Sequence, residues 1–259
     1  MNNNFIPAKK SLGQNFLKSK LALFKMIEAG EINNNDIILE VGPGKGILTE
    51  KLLAIAKKVI AVEKDDRLIE LLQEKFAVEI AQNKLEIIHA DILDFNPTNY
   101  NLNNKSYKII ANIPYYITGQ FLRKFLADSP QSERIVVMVQ KEIADRIVAR
   151  EGKESLLSLS VKAFGKPKKV MKVDKENFSP APKVDSAILA ITDINRDKFN
   201  NNKELENKFF ALIKAGFSSK RKILSSNLKK ILPPEKISTL KINVRAEDLK
   251  LEEWLELLK

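Results

Sequence analysis

The chain has no cysteine, a single histidine and a single tryptophan in 259 residues. Without cysteine there can be no disulfide, no thiolate nucleophile and no Cys/His zinc site, and one histidine cannot build a ligand cluster. No metal is expected. The lone His89 closes the apolar run Leu85-Glu86-Ile87-Ile88 and reads as a strand-end residue rather than a catalyst. Also missing is any run of 18 apolar residues, and Met1-Asn2-Asn3-Asn4 does not open a signal peptide. A soluble, cytoplasmic protein with no membrane partner is therefore expected, and nothing in the sequence demands more than a monomer.

Acid is scarce relative to base. Lys+Arg 44 against Asp+Glu 33 leaves a formal charge of +11, which favours a polyanionic partner. The excess is also uneven. Residues 8–27 carry Lys9, Lys10, Lys18, Lys20 and Lys25 without a carboxylate. Residues 214–230 carry Lys214, Lys220, Arg221, Lys222, Lys229 and Lys230, again without one, and Lys166, Lys168, Lys169 and Lys172 form a third group. Segments without acids cannot be salt-bridge ladders along a helix, so RNA or DNA contact is the favoured reading over a solvated face. Lys220, Arg221 and Lys222 are the chosen RNA-binding candidates.

Short apolar runs alternate with helical periodicity over the first three quarters of the chain. Ile37–Val41, Val59–Val62, Leu85–His89, Lys108–Ala111 and Ile135–Val139 read as buried strands, with helices over Ile47–Ala56 and Asp66–Phe76 between them. Such alternation implies a mostly parallel sheet covered on both faces. Val170–Val173 and Ala187–Ile191 lack an intervening helical pattern and are expected to pair antiparallel at the sheet edge. After Asp193 the polar stretch Asn195–Asn202 reads as a linker, and only helical periodicity follows. The expected division is an α/β domain over 1–193 and a small all-helical domain over 194–259.

Three features carry chemistry. Glu40-Val41-Gly42-Pro43-Gly44-Lys45-Gly46 follows the first long strand, and its glycines allow a tight turn and close ligand approach. It is neither the G-x-G-x-x-G dinucleotide fingerprint nor a phosphate-cradling P-loop. Glu63 and Asp91 each follow a strand end, where one can accept from ribose hydroxyls and the other from an adenine amine. For each alone an N-cap is the simpler reading, but together they face one crevice. Adenosine with a positive remainder, namely S-adenosylmethionine, suits a site offering carboxylates rather than cations. Third is Asn112-Ile113-Pro114-Tyr115 at the end of a later strand. The Asn112 amide oxygen and Ile113 carbonyl can accept from the two N–H groups of a planar exocyclic amine, with Pro114 stiffening the backbone. Tyr115 offers a ring face to an extruded base, and Phe178, in Phe178-Ser179-Pro180-Ala181-Pro182, is the expected second platform.

These motifs, with Gly13-Gln14-Asn15-Phe16-Leu17, Val139-Gln140-Lys141-Glu142, Arg221-Lys222-x-Leu224 and Arg245-Ala246-Glu247, resemble the bacterial small-subunit members of the ribosomal RNA adenine N6,N6-dimethyltransferase family. The resemblance runs nearly the full length. It implies a Rossmann-like class I methyltransferase fold with a helical C-terminal RNA-recognition domain. It also implies S-adenosylmethionine contacts around Gln14, Asn15, Leu17, Glu40, Gly42, Gly44, Glu63, Asp91, Ile92 and Asn112. The implied reaction places two methyls on each of two adjacent adenosines in the 3′-terminal hairpin of small-subunit rRNA, on assembling small subunits. The chain departs from the pattern in lacking a Tyr-Gly pair before Leu159-Ser160-Val161 and in carrying Trp254 where Phe is usual. A large-subunit rRNA adenine methyltransferase of the antibiotic-resistance type shares the catalytic motifs and remains an alternative. A non-catalytic RNA-binding assembly factor is the alternative from another class, and a DNA adenine methyltransferase is disfavoured for want of a target-recognition domain.

Overall fold

The structure is a computed structural model describing residues 6–128, 130–149, 153–219 and 221–259. Nine strands are present among these residues: β1 (Phe16–Leu17), β2 (Ile37–Val41), β3 (Lys58–Glu63), β4 (Leu85–His89), β5 (Lys108–Asn112), β6 (Arg134–Gln140), β7 (Lys166–Val173), β8 (Phe178–Ser179) and β9 (Ser186–Thr192). The seven long ones form a sheet in the order β4-β3-β2-β5-β6-β9-β7. Neighbours from β4 to β6 run parallel, and β9 runs antiparallel to β6. The two strands expected to pair at the edge are indeed neighbours there. β1 and β8, too short to show a period in sequence, pair antiparallel as a separate two-stranded sheet.

The central strands are buried on both faces, as their continuous apolar runs require: Ile38, Leu39, Ile109, Ile110, Val136 and Val137 are fully buried. Around the sheet lie α1 (Lys20–Gly30), α2 (Ile47–Leu53), α3 (Asp66–Lys75), α4 (Ala77–Ala81) and α5 (Thr118–Ala127). α1 packs on β5, β6 and β9, and α3 packs on β3 and β4. Side-chain caps set two of these starts, with Ser19 accepting from the Ala22 N–H and Asp65 from the Arg67 N–H.

The chain forms two compact units, residues 1–144 with 168–194, and 145–167 with 195–259. This differs from the linear division at 193/194, since 145–167 packs with the C-terminal part. Of α6 (Lys141–Ile147) and α7 (Leu156–Lys162), the latter packs on α8 (Lys203–Gly216). Completing the helices are α9 (Leu224–Leu228), α10 (Pro234–Ser238) and α11 (Leu251–Glu256). An aromatic cluster explains the discontinuity: Phe164 contacts Phe199 and Phe210, and Phe199 contacts Phe209. Phe199 is fully buried, so the Asn-rich stretch read as a linker is anchored to this core through that one side chain. Near the chain end Trp254 stacks on Phe217, and a Cβ at Gly216 would come within 2.3 Å of its ring.

Candidate active site

Following β2 the chain goes to β3 and β4 on one side, then returns to β5 and β6 on the other. The crevice at the carboxyl ends of β2 and β5 is therefore a topological switch point, where open α/β sheets bind ligands. A solvent-open cleft lies there, lined by residues from the ends of β2, β3 and β5.

The glycine turn forms one wall. Gly42 and Gly44 have φ +69° and +60°, where an L side chain is strained, and a Cβ would be tightly placed at either. A Cβ on Gly42 would sit 3.1 Å from the Asn112 carbonyl oxygen, and one on Gly44 would sit 3.1 Å from the Phe16 ring. Gly46 serves packing instead, because a Cβ there would lie 2.5 Å from Phe76. The turn thus presents bare backbone to the cavity, as a closely held ligand requires.

Glu63, at the end of β3, is nearly buried. Its carboxylate accepts from the N–H groups of Gly44 (3.2 Å), Lys64 (2.9 Å) and Asp65 (2.9 Å). Burial nonetheless raises its pKa above the usual carboxylate range, with those donors opposing the shift. Hydroxyl donors from a ligand would favour the charged form further. Asp91 follows β4; its Oδ1 accepts from the Leu93 N–H at 2.9 Å and its Oδ2 meets Lys64 Nζ at 2.6 Å. Partial burial pushes its pKa up, but Lys64 and the Leu93 N–H outweigh that and hold it below normal. Asp91 therefore stays an acceptor.

Asn112 ends β5. Its Nδ2 donates to the Asn15 carbonyl at 3.3 Å, which fixes the amide orientation and leaves Oδ1 as the acceptor on the other side. Asn15 itself donates from Nδ2 to the Gly13 carbonyl at 3.1 Å. Gln14 lies on the wall, but its amide is engaged elsewhere: Oε1 accepts from the Lys9 N–H and Nε2 donates to Asp65, each at 2.7 Å. Arg67 holds the same Asp65 carboxylate, with Nε on Oδ1 at 2.9 Å and a terminal nitrogen on Oδ2 at 2.6 Å. Gln14 is thus a clamp that straps residues 13–16 across the cavity. Tyr115 forms a half-buried wall whose hydroxyl is hydrogen-bonded to Ser186 Oγ.

The structure brings Gln14, Asn15, Gly42, Gly44, Glu63, Asp91, Ile92, Asn112, Ile113, Pro114 and Tyr115 together on one cavity. Three candidates lie off its wall. Leu17 and Phe178 are register partners in β1 and β8, and both side chains belong to the hydrophobic core. Phe178 is only 2% exposed, so it offers no face to a base as placed here; the short strand pairing turns its ring inward. Glu40 points into the interior, 1% exposed, with both carboxyl oxygens lacking a partner among the described residues. Arg221 and Lys222 are exposed in the second unit, and Lys220 lies outside the described residues. Sequence reasoning missed Phe16, Lys64 and Tyr116, which also line the cavity. Each is a chain neighbour of a residue in one of the sequence motifs, and that adjacency is its signal in the sequence.

Carboxylates where a phosphate site would place cations, and glycines a Cβ would obstruct, fit an adenosine whose remainder is positive. With acceptors beside them for a planar amine, they define a class I methyltransferase that uses S-adenosylmethionine as methyl donor. Residues 6–259 match the ribosomal RNA adenine dimethylase family, and the chain belongs to it. It is 42% identical over 260 residues to the ribosomal RNA small subunit methyltransferase A of Dehalococcoides mccartyi, covering 97% of this chain and 88% of that one. The Fusobacterium nucleatum protein of the same name is 37% identical, covering 97% and 96%. Among solved structures, a dimethyladenosine transferase from Plasmodium falciparum superposes with TM-score 0.80 at 30% identity, covering 93% of this chain and 95% of that one. The 23S rRNA methyltransferase ErmE gives 0.76 at 25%, covering 94% and 98%.

The Glu63 geometry gives a direct expectation. Glu63→Ala should weaken S-adenosylmethionine binding in calorimetry by roughly tenfold to a hundredfold, the scale of hydrogen bonds to a charged group. Unchanged affinity would remove Glu63 from the ribose role.

Proposed function

We propose that this enzyme transfers methyl groups from S-adenosylmethionine to N6 of two adjacent adenosines in the 3′-terminal hairpin of small-subunit (16S) rRNA. The product is N6,N6-dimethyladenosine, formed on assembling small subunits by a cytoplasmic monomer without a metal. The observation carrying this reading is the Asn112 amide, tethered through Nδ2 so that Oδ1 is left to face an incoming amine. The fold alone does not single out small-subunit methylation, since it also resembles a 23S rRNA methyltransferase. Sequence favours the former, because the relatives cited at 37–42% identity bear the small-subunit name.

S-adenosylmethionine, when bound, supplies an electrophilic methyl group. Everything else falls to the chain. The lone pair on adenine N6 is delocalised into the ring, so the amine is a poor nucleophile until its N–H groups are drawn out of the ring plane. In the first transfer Asn112 Oδ1 and the Ile113 carbonyl accept those two N–H groups; in the second a single N–H remains and one of the two acceptors holds it, with Pro114 keeping both in place. Tyr115, anchored through its hydroxyl, presents a fixed face to the extruded base. Accepting the methyl group would leave the nitrogen cationic and able to release its proton to solvent. No strong base is required, and rate enhancement comes from positioning.

Mass-spectrometric mapping of dimethyladenosine in rRNA from cells with and without this gene tests the proposal. Loss confined to the small-subunit 3′ hairpin is expected; loss in large-subunit rRNA would favour the antibiotic-resistance reading. The basic segment of the second unit gives another check. Arg221→Ala with Lys222→Ala should lower subunit affinity and flatten its salt dependence by roughly 0.7 per lost phosphate contact. An unaltered slope would make that segment a solvated face.

A further inference from the structure

The tyrosine doublet beside Asn112 is split between two roles. Tyr115 is turned inward and tied to Ser186. Tyr116 also lines the cavity, yet 64% of it is exposed. An exposed aromatic on a surface ordinarily needs no explanation. This one differs because its ring lines a ligand cavity. It lies so close over Gly13 that a Cβ there would be 3.2 Å from Tyr116 Cε1 and 3.3 Å from Pro114 Cβ, and Gly13 has φ +63°. The ring is therefore backed by a bare glycine and lies beside the proline of the catalytic motif, with its exposed part open to solvent.

Lys64 lines the same cavity, and its side chain is 52% exposed. Its ammonium has three donors, of which Asp91 Oδ2 takes one. A flat apolar face and a cation at one cavity mouth match a nucleotide, with a base to stack and a phosphate to neutralise.

We propose that Tyr116 and Lys64 form a subsite for the nucleotide flanking the target adenosine, with its base stacked on Tyr116 and its phosphate held by Lys64. The subsite rests on the reading of an RNA adenosine as substrate. Both are positioning residues: they hold the strand from which the target base is extruded and do not touch the reacting nitrogen.

The test uses the full chain, labelled S-adenosylmethionine and small subunits lacking the modification. Tyr116→Ala should raise KM for subunits about tenfold, within the range of base–aromatic stacking, while kcat and S-adenosylmethionine affinity change little. Tyr116→Phe and Tyr116→Trp should restore KM, which a merely structural tyrosine hydroxyl would not allow. Lys64→Gln should reduce the salt slope of subunit binding by about 0.7. A wild-type KM in Tyr116→Ala, or an equal loss of donor affinity, overturns the subsite while leaving the adenosine reading intact. A wild-type enzyme that transfers no methyl to these subunits fails the underlying reading and takes the subsite with it.

Discussion

Asn112→Ala is expected to lower kcat for methyl transfer by about 10²- to 10³-fold, the scale seen when one preorganised polar group is removed from a reacting centre. The substitution deletes the Oδ1 acceptor and also the Nδ2 donor that meets the Asn15 carbonyl at 3.3 Å. Subunit affinity should persist, because no phosphate contact is lost. The backbone should hold as well, since the Asn112 carbonyl is packed against Gly42 whatever the side chain. Asn112→Asp separates the two functions of the amide. It keeps an acceptor towards the amine but turns an oxygen, not a donor, towards Asn15. Intermediate activity is expected if the Asn15 contact serves orientation. Single-turnover measurement with saturating donor reads the chemical step directly, and a wild-type rate in Asn112→Ala would discard the mechanism.

The sheet was legible because its strands are buried on both faces and read as unbroken apolar runs, from Ile37–Val41 to Ala187–Ile191. The site was legible where ligand chemistry constrains residue type: glycines at positive φ, carboxylates at strand ends, an amide before proline. Contacts made by short or distant pairings were not. β1 and β8 pair over two residues each, too few for a period, yet they remove Leu17 and Phe178 from the cavity wall. Nor could periodicity show that residues 145–167 pack with the C-terminal unit, since that depends on Phe164 meeting Phe199 across 35 positions. Phe199 hid in an Asn-rich stretch whose composition suggested solvent. Tyr116 hid beside Tyr115: their different roles follow from which hydroxyl reaches Ser186, a partner 71 residues away from Tyr115.

The second large effect concerns stability rather than turnover. Glu40 is fully buried beside the glycine turn, and burial pushes its pKa up to about 8, with the Glu63 carboxylate adding to the rise. The Thr49 hydroxyl lies beside it, but neither group has a partner in normal hydrogen-bonding geometry. Near neutrality the folded protein therefore keeps a proton on Glu40 that the unfolded chain, titrating at its ordinary value of 4.5, has released. A raised folded pKa means that this linkage favours the native state most below pH 4.5 and progressively less as pH rises towards 8. At pH 7 the difference is about 3 kcal/mol, at 1.36 kcal/mol per pKa unit. Glu40→Gln replaces the neutral acid with a neutral amide of the same shape and removes the linkage. The variant should gain stability relative to wild type as pH rises from 5 to 8, with an advantage of about 3 kcal/mol near neutrality and a Tm several degrees higher. Calorimetric scans across that range read it, and parallel pH profiles for the two proteins would mean that Glu40 is ionised in the native state. Donor titrations on the same variant decide its other role: weakened S-adenosylmethionine binding would show that the carboxyl acts on the cofactor through the turn it underlies, despite lying off the cavity wall.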